Sequence, residues 1–142
     1  MKESFVSSYV KQILMGLDYL HSQGVVHRDV KGANILLSSD NIIKLADFGV
    51  ATLINENQKT QSMKGTPFWS KSLWILWFIV APEVIESNGT VTPMCDIWSL
   101  GITIIELIKG EPPFYEANQY QAMVKIVTNP IPIPEEFSEV RF

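Results

Sequence analysis

The chain has 142 residues, 46% of them hydrophobic, and a net charge of −4 from 11 Lys and Arg against 15 Asp and Glu. That length suits about one domain with a sizeable core, and the mixed, slightly acidic charge gives no basic footprint for nucleic acid. A single cysteine, Cys95, excludes an internal disulfide, and no run reaches the roughly 20 apolar residues of a membrane-spanning helix.

Phe5, Tyr9, Ile13, Leu17 and Leu20 recur at helical spacing, with Val6, Val10 and Leu14 beside them. This pattern predicts an amphipathic helix over residues 4–22, not the uninterrupted apolar core of a signal peptide. Gly24 ends it, because glycine tolerates the left-handed conformation on which helices often finish. Val25-Val26 and Ile35-Leu36-Leu37 are short apolar strands on either side of a polar segment, residues 27–34. Ser38-Ser39-Asp40-Asn41 reads as a turn and Ile42-Ile43-Lys44-Leu45 as the returning strand of a hairpin. Residues 50–69, rich in Thr, Asn, Gln and Ser, are expected to form a mobile loop. Residues 96–109 form a strongly apolar helix and residues 118–127 another. Pro130, Pro132 and Pro134 then forbid regular structure. No internal repeat is present.

The run His27-Arg28-Asp29-Val30-Lys31-Gly32-Ala33-Asn34 sets a carboxylate, an ammonium group and an amide within six residues. Asp47-Phe48-Gly49, Ala81-Pro82-Glu83 and Asp96-Ile97-Trp98-Ser99-Leu100-Gly101 follow in order. Together these resemble the signature set of eukaryotic protein kinases. Lys44-Leu45-Ala46-Asp47-Phe48-Gly49, Gly65-Thr66-Pro67-Phe68-Trp69 and Gly110-Glu111-Pro112-Pro113-Phe114 are similar to the Ser/Thr kinases of the Ste20-like and MAP kinase kinase kinase-like group.

The resemblance implies an α+β fold, mainly helical, corresponding to the large C-terminal lobe of a kinase domain. The sequence holds no Gly-rich loop, strand lysine or partner glutamate of the small lobe, so residues 1–142 are expected to be a partial domain. The family's final helices are also missing, and Glu83 is expected to lack the arginine that pairs with it there.

The resemblance implies transfer of the ATP γ-phosphate to a Ser or Thr hydroxyl of a protein substrate. Phosphoryl transfer depends on positioning and charge neutralisation more than on covalent chemistry. Asp29 would accept or orient the hydroxyl proton, and Lys31 would contact the transferring phosphate. Asn34 and Asp47 would hold Mg²⁺, a hard cation that prefers oxygen ligands. Thr66 resembles the family's threonine that hydrogen-bonds the catalytic Asp and Lys. In isolation Asp29 and Asp47 would read as loop caps, but the ordered pattern outweighs that reading. His27 and Phe48 are expected to be buried packing residues, Trp98 a core residue, and Asp96 both a helix cap and an acceptor for the backbone of residues 27–34.

Arg28 suggests regulation, because a guanidinium can order a phosphorylated loop. Ser62 is the first candidate for that modification, Thr60 the second, and an unmodified polar loop the alternative. The implied partners are a protein substrate and an upstream activating kinase or a second copy phosphorylating in trans. Cytoplasm is the expected location, with the nucleus as alternative, since a lone cysteine suits a reducing compartment.

One segment departs from the pattern. Where the family has a single Met between Trp and Ala-Pro-Glu, this chain has eleven residues, Ser70-Lys71-Ser72-Leu73-Trp74-Ile75-Leu76-Trp77-Phe78-Ile79-Val80. Back-translation allows a splice donor, A-GTAAGT, across Ser70-Lys71-Ser72 and an acceptor, ATAG-TG, across Ile79-Val80. Joining A to TG restores the Met, so translated intron is the preferred reading. A genuine insertion that docks a partner is the alternative. For the chain as written, an inactive kinase fragment, a noncatalytic binding module and a nonfunctional truncated product are all carried forward.

Overall fold

Helix α1 (Glu3–Ser22) begins the computed structural model, which describes residues 3–54, 80–86 and 91–134. Its apolar stripe gives Ile13 and fully buried Leu17 to a core shared with Val30 and Leu100. Leu20, Ile35, Ile43, Leu45 and Ile104 pack around them. Burying one such leucine contributes about 2 kcal/mol.

The helix stops at Gly24, whose φ is +71°. A Cβ at that position would lie 3.2 Å from the carbonyl oxygen of Ile54. Gly24 O also accepts the Ile54 N–H at 2.7 Å, so this residue both ends α1 and admits the later strand.

Two small antiparallel sheets follow. Strand β2 (Ile35–Leu37) pairs with β3 (Ile43–Leu45) in the expected hairpin, with Leu36 opposite Lys44. Gln12 clips this hairpin to α1: its Oε1 accepts the Ile43 N–H at 2.9 Å and its Nε2 donates to Asn41 O at 3.3 Å. Strand β1 (Val25–Val26) pairs with β4 (Thr52–Leu53), placing Val26 opposite Thr52.

Strand β4 corrects the reading of residues 50–69 as loop from their start. A two-residue strand has no measurable period, and its partner is distant in sequence, so tertiary pairing alone creates it. Helix α2 (Pro82–Glu86) was also unforeseen; Pro82 sits at its first position, where a missing N–H costs nothing.

Helix α3 (Met94–Lys109) is the central element. It gives Leu100 to the first core and Ile102 to a second, formed with Ala122 and Ile126 of α4 (Gln119–Thr128). Gly110, at φ +85°, terminates α3 and donates its N–H to Glu106 O at 2.7 Å. Helix α4 starts with a capping box: Asn118 Oδ1 accepts from Gln121 N, while Gln121 Oε1 accepts from Asn118 N. Residues 129–134 have no regular structure, as their prolines require. Among the described residues no helix is long and apolar enough to cross a membrane.

Candidate active site

Asp96, in the first turn of α3, is fully buried. Its Oδ1 accepts the Arg28 backbone N–H at 2.8 Å, and its Oδ2 accepts the His27 N–H at 2.9 Å. His21 Nε2 lies 2.7 Å from the same Oδ2. The expected bonds to the loop are present, but the expected helix cap is not. Pro93 is the N-cap, and with neither a backbone N–H nor a side-chain acceptor it can make no cap bond, so both Asp96 oxygens go to groups outside α3. Arg28 adopts φ +69°, and this left-handed turn aims two successive amides at one carboxylate.

His27 is fully buried and links two loops. Its Nε2 lies 3.1 Å from Ala46 O, and a carbonyl can only accept, so Nε2 carries the proton. Nδ1 is then the acceptor for the Asp29 N–H at 3.3 Å. Ala46 in turn donates its N–H to Asn34 O at 2.9 Å, which brings the neighbouring Asp47 beside the loop.

Within the loop, a short 3₁₀ turn at Gly32–Asn34 folds Asn34 back on Asp29. Asn34 Nδ2 donates to Asp29 Oδ2 at 2.8 Å and to Asp29 O at 2.9 Å. Lys31 Nζ lies 2.8 Å from the same Oδ2. Asp29 Oδ1 is buried and, among the described residues, has no hydrogen-bond partner. A buried carboxylate oxygen left unpaired is costly and uncommon, and is the kind of atom that awaits a ligand.

Asp47 is exposed, at φ +62°, with Oδ1 accepting the Gly49 N–H at 3.2 Å. Phe48 departs from its expected burial. One side of its ring meets the His27 ring at a centroid distance of 4.8 Å, yet the residue is 47% exposed. Arg28 Nη1 donates to Thr52 Oγ1 at 2.7 Å, tying the loop to β4. Trp98 is partly buried against the second core, and its Nε1 is buried without a hydrogen bond among the described residues. Thr60, Ser62 and Thr66, and all of the 70–80 interruption except Val80, lie outside the described residues.

The residues brought together are thus Asp29, Lys31, Asn34 and, through Ala46, Asp47. Asn34 commits Nδ2 to Asp29, which leaves its carbonyl oxygen for a cation, and Asp47 adds a carboxylate. Among the described residues no group of three or more His, Cys, Asp or Glu could hold a metal. One amide and one carboxylate nevertheless fit Mg²⁺, which takes few protein ligands and completes its shell with water and substrate phosphates.

Two neighbours of the site add contacts that the motif does not name. Glu83, expected to lack the family's arginine, has its Oε1 3.9 Å from the Cys95 Sγ, which donates to it. Burial pushes the Cys95 thiol above its ordinary value, and the Glu83 and Asp96 carboxylates add to that, while hydrogen bonding from Thr92 acts against it. His21 went unnoticed because its only signal is its position in the last turn of α1, and nothing in sequence joins it to Asp96.

The protein kinase domain family matches residues 1–140, and the chain belongs to that family. Within it the chain is a partial domain similar to MAP kinase kinase kinase-like Ser/Thr protein kinases. It is 50% identical over 139 residues to MAP3K epsilon protein kinase 1 of Arabidopsis thaliana, covering 96% of this chain and 9% of that protein. It is 47% identical over 137 residues to cell division control protein 7 of Schizosaccharomyces pombe (96% of this chain, 12% of that protein). Mitogen-activated protein kinase kinase kinase 5 of Arabidopsis thaliana is 41% identical over 144 residues (97% and 19%). The chain therefore spans only a small part of each relative's length.

Proposed function

We propose that residues 27–47 form the phosphoryl-transfer centre of a protein Ser/Thr kinase and that this chain corresponds to the large lobe of its domain. The observation that carries this reading is the asymmetry of Asp29. Its Oδ2 is held by Lys31 and Asn34, while buried Oδ1 has no partner among the described residues.

In this reading Oδ1 accepts the hydrogen bond of a substrate Ser or Thr hydroxyl and orients its oxygen for attack. Lys31, anchored on Oδ2 with its side chain 24% exposed, meets negative charge as it develops on the transferred group. ATP would supply the phosphoryl group and Mg²⁺ would offset its charge, with Asn34 and Asp47 the residues that would hold the cation. Thr66 would close the site on Asp29 and Lys31. Arg28 would receive a phosphate on Ser62 or Thr60, placed by an upstream kinase or by a second copy. A reducing compartment, the cytoplasm or nucleus, suits the free Cys95.

The 142 residues by themselves carry no Gly-rich loop or strand lysine to hold adenine and the inner phosphates, so the isolated chain does not turn over. A second reading, a noncatalytic binding module, draws on the exposed apolar residues of the hairpin, Leu36, Leu37 and Ile42, each 51% exposed. Two assays test the proposal. The isolated chain should show no thermal shift with Mg²⁺ and ATP. The product of this gene purified from its own cells should place phosphate on Ser and Thr, not Tyr. A cellular product that transfers no phosphate would leave the binding reading standing.

A further inference from the structure

Among the described residues Asp96 Oδ2 has two donors, of which one, the His27 amide, belongs to the catalytic loop. The other is the His21 imidazole, whose Nε2 lies 2.7 Å away although 75 positions separate the residues. We infer that His21 is a positioning residue: it fixes the plane of the Asp96 carboxylate and, through it, the two peptide groups that lead into Asp29. This rests on the reading of residues 27–34 as a phosphoryl-transfer loop.

The terminal torsion of an aspartate is soft and roughly two-fold, so a carboxylate is oriented by its donors and not by its own rotamer. Here two of the donors are the amides of His27 and Arg28, which are themselves the groups to be positioned. Arg28 is held at φ +69°, a conformation that persists only where the surroundings over-determine it. An independent reference is therefore needed, and His21 supplies it. It projects from α1, whose Ile13 and Leu17 are buried against Val30 and Leu100, so the imidazole stands on a packed element. Its side chain is 15% exposed while that of Asp96 is fully buried. The donor is thus a removable group at the edge of the core, whereas the packing of α1 belongs to other residues.

The test compares the unsubstituted chain with His21→Gln and His21→Phe. Glutamine carries an N–H donor the same number of bonds from Cβ as histidine Nε2; phenylalanine keeps a ring without a donor. The readout is hydrogen–deuterium exchange of the His27 and Arg28 amides by NMR, with the Ile13 and Leu17 amides as internal standards. With His21→Phe, exchange at His27 and Arg28 should rise by at least about tenfold while Ile13 and Leu17 are unchanged. With His21→Gln, protection should return to within about threefold of the unsubstituted chain.

Unchanged exchange at His27 and Arg28 in His21→Phe would overturn the inference. So would a rise shared by all four amides, which marks a packing role, or a glutamine variant that behaves like phenylalanine. None of these readings uses phosphate transfer. A positive result beside a cellular product indifferent to Asp29→Asn would therefore sink the kinase-centre reading and leave the His21–Asp96 link intact.

Discussion

The side-chain amide of Asn34 spans Asp29, with Nδ2 2.8 Å from the Oδ2 carboxylate oxygen and 2.9 Å from the carbonyl oxygen of the same residue. Both amide protons are thereby spent inside the loop, and the opposite end of the side chain, its carbonyl, is what remains for a cation. In the proposed centre, one residue would thus orient the proton acceptor and present a metal ligand. Replacing it by alanine leaves the buried Asp29 carbonyl without this donor and Oδ2 with Lys31 alone. Asn34→Ala should lower the unfolding free energy by about 2 kcal/mol in urea titration. A loss below a few tenths would show that the two bonds do not hold the loop.

Gly24 and Gly110 both adopt positive φ, but their surroundings differ. A Cβ at Gly24 would come within 3.2 Å of Ile54 O, whereas at Gly110 it would meet nothing within 4 Å. Gly110→Ala should therefore cost only the left-handed conformation, about 1–2 kcal/mol. Gly24→Ala should cost more and also weaken the β1–β4 pairing. Equal midpoints for the two variants in thermal unfolding would contradict the contact at Ile54.

Cys95 gives a pH dependence with a defined sign. Its folded-state value is raised, chiefly by burial, so above the ordinary thiol range the unfolded chain releases a proton that the folded chain keeps. Its contribution to stability is fully present below that range and is lost as pH rises through it towards the folded value. Cys95→Ser should reduce this alkaline loss, measured as the unfolding midpoint against pH, and iodoacetamide should label native Cys95 more slowly than the unfolded thiol at every pH in that window.

The interruption at 70–80 has a direct test in nucleotides. The gene should read AGTAAG across Ser70-Lys71 and ATAG into Val80, and a spliced transcript should join Trp69 through Met to Ala81. Any other codons at Ser70-Lys71 remove the proposed donor and favour a genuine insertion.

Elements with a strong period or distinct punctuation were legible in the sequence: α1 and its stop at Gly24, the hairpin, α3, and α4 with its asparagine start. What could not be read depends on partners distant in sequence. Strand β4 exists because Val25 and Val26 meet Leu53 and Thr52, and Asp96 serves two distant loop amides while the proline at its helix N-cap offers it no N–H. Phe48 is half-exposed because His27 covers one side of its ring, a contact that motif order cannot grade. At the site, the motif named Asp29, Lys31 and Asn34, but the Oδ1 without a partner among the described residues and the His21 link arise only from the fold.

The central claim, that Asp29 orients the attacking hydroxyl, is tested most directly by γ-phosphate transfer with the gene's cellular product and its Asp29→Asn variant. The account predicts a fall in kcat of about 10²–10⁴-fold with the KM for ATP little changed, as for loss of a positioned general base. Equal rates for the two proteins would contradict it.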